Sequence, residues 1–190
     1  MTEEIQNLEA KLEELKAELC AARHNAPRQE VHDFGFTTLN GPITLSEMFG
    51  QSSELILIHN MGQSCSYCTL WADGLNGFTK PFEDRCAFFV VSPDSPEVQR
   101  DFGAKRDWKF KMASDASKEF SKAMGYWSES DGAGAGVSTF IKEDGKIYRT
   151  GTAEFGPGDE FCSVWPIMDL LGGPKGWEPK FDYRESLNVN

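Results

Sequence analysis

Basic side chains are in deficit. The chain carries 19 Lys and Arg against 30 Asp and Glu, a net charge of −11. That balance argues against broad electrostatic attraction to nucleic acid or to an anionic membrane. Long apolar runs are missing as well. The N-terminal leucines are separated by Glu and Lys, so no secretory hydrophobic region forms, and no segment approaches the length of a bilayer span. The expectation is a cytoplasmic protein with neither a nucleic-acid nor a membrane partner. Cysteine is sparse, at 5 residues. Five cannot all pair within one chain, and their irregular spacing is unlike a secreted disulfide framework. With 190 residues, 39% of them hydrophobic, the chain suffices for one well-buried core rather than two. The division expected is an amphipathic helix over residues 1–26 and a single domain over 27–190.

Two of the cysteines stand close together. Cys65 and Cys68 follow the apolar run Leu55-Ile56-Leu57-Ile58 and precede the helix-compatible Thr69-Leu70-Trp71-Ala72, so the chain reads strand, Cys-Ser-Tyr-Cys, helix. A cysteine at a helix start faces unpaired backbone N–H groups and the positive end of the helix dipole, which favour the thiolate. Two intervening residues let the second sulfur curl back within bonding distance of the first, as a redox-active disulfide requires. The same spacing also occurs as half a zinc site or as an inert pair. Zinc needs four ligands, and Cys20, Cys86 and Cys162 are scattered singly with no histidine at ligand spacing. Redox chemistry is therefore the favoured reading, with no metal and no bound cofactor required.

Around that pair the pattern is mixed. Ile5, Leu8, Leu12, Leu15 and Leu19 recur at steps of three and four among charged residues, a narrow stripe of about three heptads. It is expected to be buried, either against the chain's own domain or in a homodimer. Pro27 marks the end of this helix. Phe34, Phe36 and Leu39 lead to Asn40-Gly41, a hairpin signal, and Thr44 to Phe49 reads as a small helix. A helix from Trp71 to about Phe82 leads to an apolar strand, Ala87 to Val91, giving a parallel crossover unit. Cys86 beside that strand reads as a small buried hydrophobe. Helices are expected over Glu97 to Lys105 and Ser117 to Met124, a loop over Ser128 to Gly136, and a hairpin of Ser138–Glu143 and Lys146–Thr150 around Asp144-Gly145. A short helix, Trp165 to Leu171, precedes an irregular tail.

This order of elements is that of a thioredoxin-like fold, an α/β arrangement with a central mixed sheet flanked by helices. The stretch His59-Asn60-Met61-Gly62-Gln63-Ser64-Cys65-Ser66-Tyr67-Cys68, continuing through Asp73 to Gly77, resembles the signature of a bacterial thioredoxin-like family catalogued as domain of unknown function 899. Similarity runs from about Ala22 to Tyr183. The resemblance implies the fold and a thiol site without naming a substrate. Thioredoxins carry Trp before the first cysteine and Gly-Pro between the pair, whereas this chain has Ser64 and then Ser66-Tyr67. Tyr67 is closer to the glutaredoxin Cys-Pro-Tyr-Cys. A peroxiredoxin site needs Thr or Ser three residues before its cysteine and an earlier Pro, where this chain has Gly62 and Ile58, so that type of peroxidase is disfavoured. Ser138 is expected to replace the cis-proline of thioredoxins, with a trans peptide before it and a backbone N–H available to a bound substrate.

The roles follow from position. Cys65 is the expected nucleophile and Cys68 the resolving thiol. Ser66, Tyr67 and Ser138 are accessory candidates. His59 would assist proton transfer if the strand end brought it near Cys68; otherwise it packs at the strand terminus. Trp71 would shape a substrate groove or, more simply, join the core. Asp73 and Asn76 are expected to bind the turn around Gly74 and Gly77, with a proton relay through Asp73 as the sharper alternative. Cys162 reads as a buried apolar residue rather than a third redox thiol. The expected activity is thiol–disulfide exchange with a protein or small-molecule thiol or disulfide. The competing expectation is a non-enzymatic interaction module built on the same fold.

Overall fold

The computed structural model describes residues 2–183. In chain order its elements are α1 (Glu3–Asn25), β1 (Gln29–Val31), β2 (Gly35–Thr38), β3 (Gly41–Thr44), α2 (Leu45–Met48), β4 (Glu54–His59), α3 (Ser66–Asn76), α4 (Thr79–Arg85), β5 (Ala87–Ser92), α5 (Pro96–Lys105), β6 (Lys111–Ser114), α6 (Glu119–Ala123), β7 (Trp127–Ser128), β8 (Gly132–Ala133), β9 (Gly136–Glu143), β10 (Lys146–Glu154) and α7 (Val164–Asp169). Eight strands form one sheet in the order β1-β10-β9-β4-β5-β6-β2-β3. The central pairs β4·β5 and β5·β6 are parallel, and β9 runs antiparallel to β4.

Residues 55–58 of β4 and 87–91 of β5 are apolar at every position because both faces are covered. Leu55, Leu57, Phe89 and Val91 enter one core with Phe34, Phe36, Leu45, Phe49, Phe120 and Phe140. The intervening Ile58, Phe88 and Val90 enter a second core with Ala72 and Leu75 of α3 and with Phe110. The sheet therefore has α2 and α6 on one face and α3 on the other. A third cluster, Trp71, Cys162 and Trp165 with Tyr67, Phe155 and Trp177, packs α7 and the following segment onto α3.

Three expectations need correction. The helix running from Trp71 to Phe82 is two helices. Gly77 N–H bonds Gly74 O and Phe78 N–H bonds Leu75 O, tightening the end of α3. Pro81 lacks the N–H that a continuous helix would direct to Gly77, so the chain restarts with Pro81 in the first turn of α4. The 128–136 loop contains the small β7–β8 hairpin, paired Trp127↔Ala133 and Ser128↔Gly132. Finally, the N-terminal stripe does not fold onto the domain: no residue of α1 is buried, and Ile5, Leu8, Leu12, Leu15 and Leu19 are between 45% and 61% exposed. Strands β1 and β6 are additional to the expectation. No helix among the described residues is long and apolar enough to cross a membrane.

Candidate active site

β4 and β5 end side by side, and the loops leaving adjacent parallel strands at their carboxyl ends are the usual ligand crevice of an α/β sheet. Asn60 N–H bonds Val91 O at 2.9 Å, prolonging the pairing by one residue. The Asn60 side chain then accepts from Gly62 N–H at 2.8 Å, and Asp94, on the loop after β5, accepts from Gln63 N–H at 2.7 Å. Gly62 has φ +105°, and a Cβ there would lie 2.9 Å from an Asp94 carboxylate oxygen, so both backbone angle and space require glycine. This clamp delivers Cys65 to the start of α3.

Cys65 is the N-cap of α3. Its sulfur accepts from Cys68 N–H at 3.1 Å, while Thr69 Oγ1 donates to Cys65 O at 2.9 Å and fixes the first turn. The Cys68 side chain, the Cys68 N–H and the Tyr67 N–H all stabilise the Cys65 thiolate. They outweigh partial burial and bring its pKa down to about 6. Cys68 is 3% exposed and is shifted the opposite way. Its thiol proton is held by Cys65 and its surroundings are desolvated, so its pKa is raised, although Met61 N–H points at its sulfur from 3.4 Å. The pair therefore has one half-exposed acidic thiol and one buried thiol that keeps its proton. All five cysteines are free thiols. Met61 Sδ lies 3.9 Å from Cys65 Sγ, while the half-buried Tyr67 ring turns toward Trp71 and Trp165.

Several candidates are placed elsewhere. His59 lies on the opposite face of the sheet from α3. It stacks between Phe120 and Tyr126, with ring centroids at 5.3 and 3.8 Å, and Nε2 shares a 2.9 Å hydrogen bond with Ser138 Oγ. Burial, reinforced by the Arg149 charge, lowers its pKa well below the ordinary 6.5. Alternation along β4 sends Ile58 toward α3 and His59 away, so His59 cannot serve the cysteines. Ser138 sits inside β9, opposite Leu57 and fully buried. Gly136, not Ser138, begins the strand, opposite His59, and Ser138 is shut off from a docked substrate. Among the described residues every peptide bond is trans.

Asp73 is bound up in structure. Arg106 donates to both its oxygens and Trp108 Nε1 donates at 2.8 Å, so it neither binds the Gly74 to Gly77 turn nor faces the thiols as a relay. Asn76 holds the 107–109 backbone through Asp107 O and Lys109 N–H. Trp71 is core, with Nε1 3.4 Å from Asp159 Oδ1 and its ring 5.6 Å from Phe155. Cys162 and Cys86 are buried, which raises both pKa values. Ser66 occupies the first turn of α3, half-exposed. Asn60, Met61 and Asp94 are the positioning residues that sequence reasoning missed. The turn Ser92-Pro93-Asp94 at the end of a parallel strand was the available signal. No group of three or more His, Cys, Asp or Glu among the described residues is placed to hold a metal ion.

A family model described as "Bacterial protein of unknown function (DUF899)" matches residues 2–187. The chain belongs to this family. Its fold is thioredoxin-like, and solved structures with similar folds include peroxiredoxins. Peroxiredoxin Q of Xanthomonas campestris is 17% identical, covering 70% of this chain and 82% of its own, with a TM-score of 0.55. The peroxidoxin BcpB of Mycobacterium tuberculosis is 21% identical over 67% and 84% of the two chains, TM-score 0.55. The reduced 2-Cys peroxiredoxin of Plasmodium vivax is 13% identical over 78% and 97%, TM-score 0.54. Comparison with curated proteins gives no match. At these identities the likeness concerns the fold alone.

Proposed function

We propose that this protein is a thiol–disulfide oxidoreductase that uses Cys65 as nucleophile and Cys68 as resolving thiol. The observation that carries this reading is the asymmetry of the pair: a half-exposed Cys65 with a pKa near 6 next to a buried, proton-retaining Cys68. Near neutral pH the Cys65 thiolate attacks one sulfur of a substrate disulfide. A Cys65–substrate bond forms, the substrate disulfide breaks, and the departing thiolate takes a proton from solvent. Forming that bond removes the negative charge that held the Cys68 proton. Cys68 can then lose it, with Met61 N–H left to stabilise the new thiolate. Cys68 attacks Cys65 Sγ, closes the intramolecular disulfide and expels the second substrate thiol. The substrate has gained two electrons and the protein has lost two, which an external thiol reductant restores.

A peroxide substrate is the reading suggested by the names of the fold neighbours. Position 62 is glycine here and offers no hydroxyl to a peroxide beside Cys65, so disulfide exchange is preferred. The test is trapping. Cys68→Ser should accumulate a mixed disulfide with glutathione disulfide or a protein disulfide, and Cys65→Ser should form none. Equal trapping by both variants would contradict the roles. Faster oxidation of Cys65 by hydrogen peroxide than by disulfides would favour the peroxidase. Absence of either reaction would leave the fold as a binding module.

A further inference from the structure

Among the described residues the N-terminal helix is left exposed along its length. α1 is 23 residues, roughly 34 Å at 1.5 Å per residue, and its C-terminal end meets the body. There Arg23 pairs with Glu160 at 3.5 Å, and Cys20, His24 and Ala26 border a hollow against β9 and β10. We propose that α1 pairs with α1 of a second copy as an antiparallel coiled coil, in the register that sets Leu12 opposite Leu15 of the other copy.

The charges beside the stripe choose both direction and register. Glu9, Lys16 and Arg23 flank it on one side, and Glu4, Lys11 and Glu18 on the other. In a parallel pair, residues on opposite flanks five positions apart meet across the seam. Glu4 would then face Glu9 of the second copy and Lys11 would face Lys16, leaving Glu18 with Arg23 as one attractive pair in three. An antiparallel pair brings like flanks together. With Leu12 opposite Leu15, Glu9 meets Lys16 and Lys11 meets Glu18, and twofold symmetry makes each contact twice. The antiparallel registers one heptad away bring like charges together: Leu12 opposite Leu8 sets Glu9 against Glu9 and Lys11 against Lys11, and Leu19 opposite Leu15 sets Lys16 against Lys16 and Glu18 against Glu18.

The chosen register also uses the whole helix. Its layers are Leu12 with Leu15, Leu8 with Leu19, and Ile5 with Ala22, each occurring twice. The acidic first turn, Glu3 and Glu4, then lies beside Arg23 and His24 of the second copy, and the two helix dipoles oppose each other favourably. Two bodies of a chain with net charge −11 are placed at opposite ends of the bundle. A parallel pair would hold them side by side.

Sedimentation equilibrium of the full chain tests this. The chain at tens of micromolar should be a dimer. Leu12→Glu with Leu15→Glu should be monomeric without a change in the thermal melting of the body, since no α1 residue is buried in it. Glu9→Lys separates the directions because the introduced positive charge meets Lys16 in the antiparallel pair but Glu4 in a parallel one. It should weaken dimerisation about tenfold, and Glu9→Lys with Lys16→Glu should restore it. A monomeric wild-type chain, a dimer that survives the double leucine replacement, or a dimer tightened by Glu9→Lys would each overturn the proposal.

Discussion

The two sides of the β4 carboxyl end hold chemically similar equipment used in opposite ways. On the α3 side, Cys65 is partly solvated and collects backbone and thiol donors, so its charged form is stabilised. On the other side, His59 is sealed between two aromatic rings with a single hydroxyl partner, and its charged form is suppressed. The two are six positions apart along the chain, and the sheet separates them in space. Proximity in sequence to a reactive cysteine therefore says little about shared chemistry. Strand alternation and the supply of donors decide which group titrates near neutrality.

The sharpest way to break this contrast is to exchange roles by mutation. Cys65→Ser should abolish disulfide reduction altogether, whereas His59→Gln should leave the alkylation rate of Cys65 and its pH midpoint unchanged. A disulfide-reduction assay checks the first and iodoacetamide labelling the second, and a shifted Cys65 midpoint in His59→Gln would show coupling across the sheet. Stability should respond in the reverse order. His59→Ala empties the space between Phe120 and Tyr126 and strips Ser138 Oγ of its partner, at a cost of about 2–4 kcal/mol in denaturant unfolding.

His59 also sets a pH dependence. Its folded pKa lies below the ordinary 6.5, so the unfolded chain binds the proton first as pH falls. Its contribution to stability is intact above pH 6.5 and is lost progressively below it, down to the depressed folded value. Unfolding measured from pH 7 to 5 should show this loss in the wild type and a smaller loss in His59→Gln.

Smaller effects sharpen the same contrast. Gly62→Ala puts a Cβ against Asp94 at an unfavourable φ. It should cost about 1–2 kcal/mol and slow Cys65 alkylation, because the clamp that presents the thiol is displaced. Asp73→Asn removes the charge facing Arg106 in a partly exposed pair, for about 1 kcal/mol in melting experiments. Cys65 alkylation should be untouched, which a relay function for Asp73 would not allow.

The parts legible in the sequence were those with strong local signals. β4 and β5 announce themselves as apolar runs buried on both faces, Asp144-Gly145 joins β9 to β10, and the Cys65 to Cys68 spacing at a strand–helix junction gives the N-cap thiol. Features set by distant partners were hidden. β6, Lys-Met-Ala-Ser, has little strand preference of its own and forms because β5 offers an edge to Lys111 through Ser114. The split between α3 and α4 was signalled by Gly77 and Pro81 and was masked by the apolar residues on either side. For His59 and Ser138 the sequence allows both a thiol-side role and plain strand packing, because sequence order does not report which face a strand residue takes until the register is known. Ser138 in particular was set at a strand start that the pairing of Gly136 with His59 moves two residues earlier.

The most direct test of the Cys65–Cys68 asymmetry is residue-resolved iodoacetamide labelling of the reduced chain across pH, read by mass spectrometry. The account predicts that Cys65 labels with a midpoint near pH 6 and reaches its plateau by neutrality, while Cys68, Cys86 and Cys162 lag far behind. A Cys65 midpoint at the free-thiol value of about 8.5, or a rate no greater than those of Cys86 and Cys162, would contradict it.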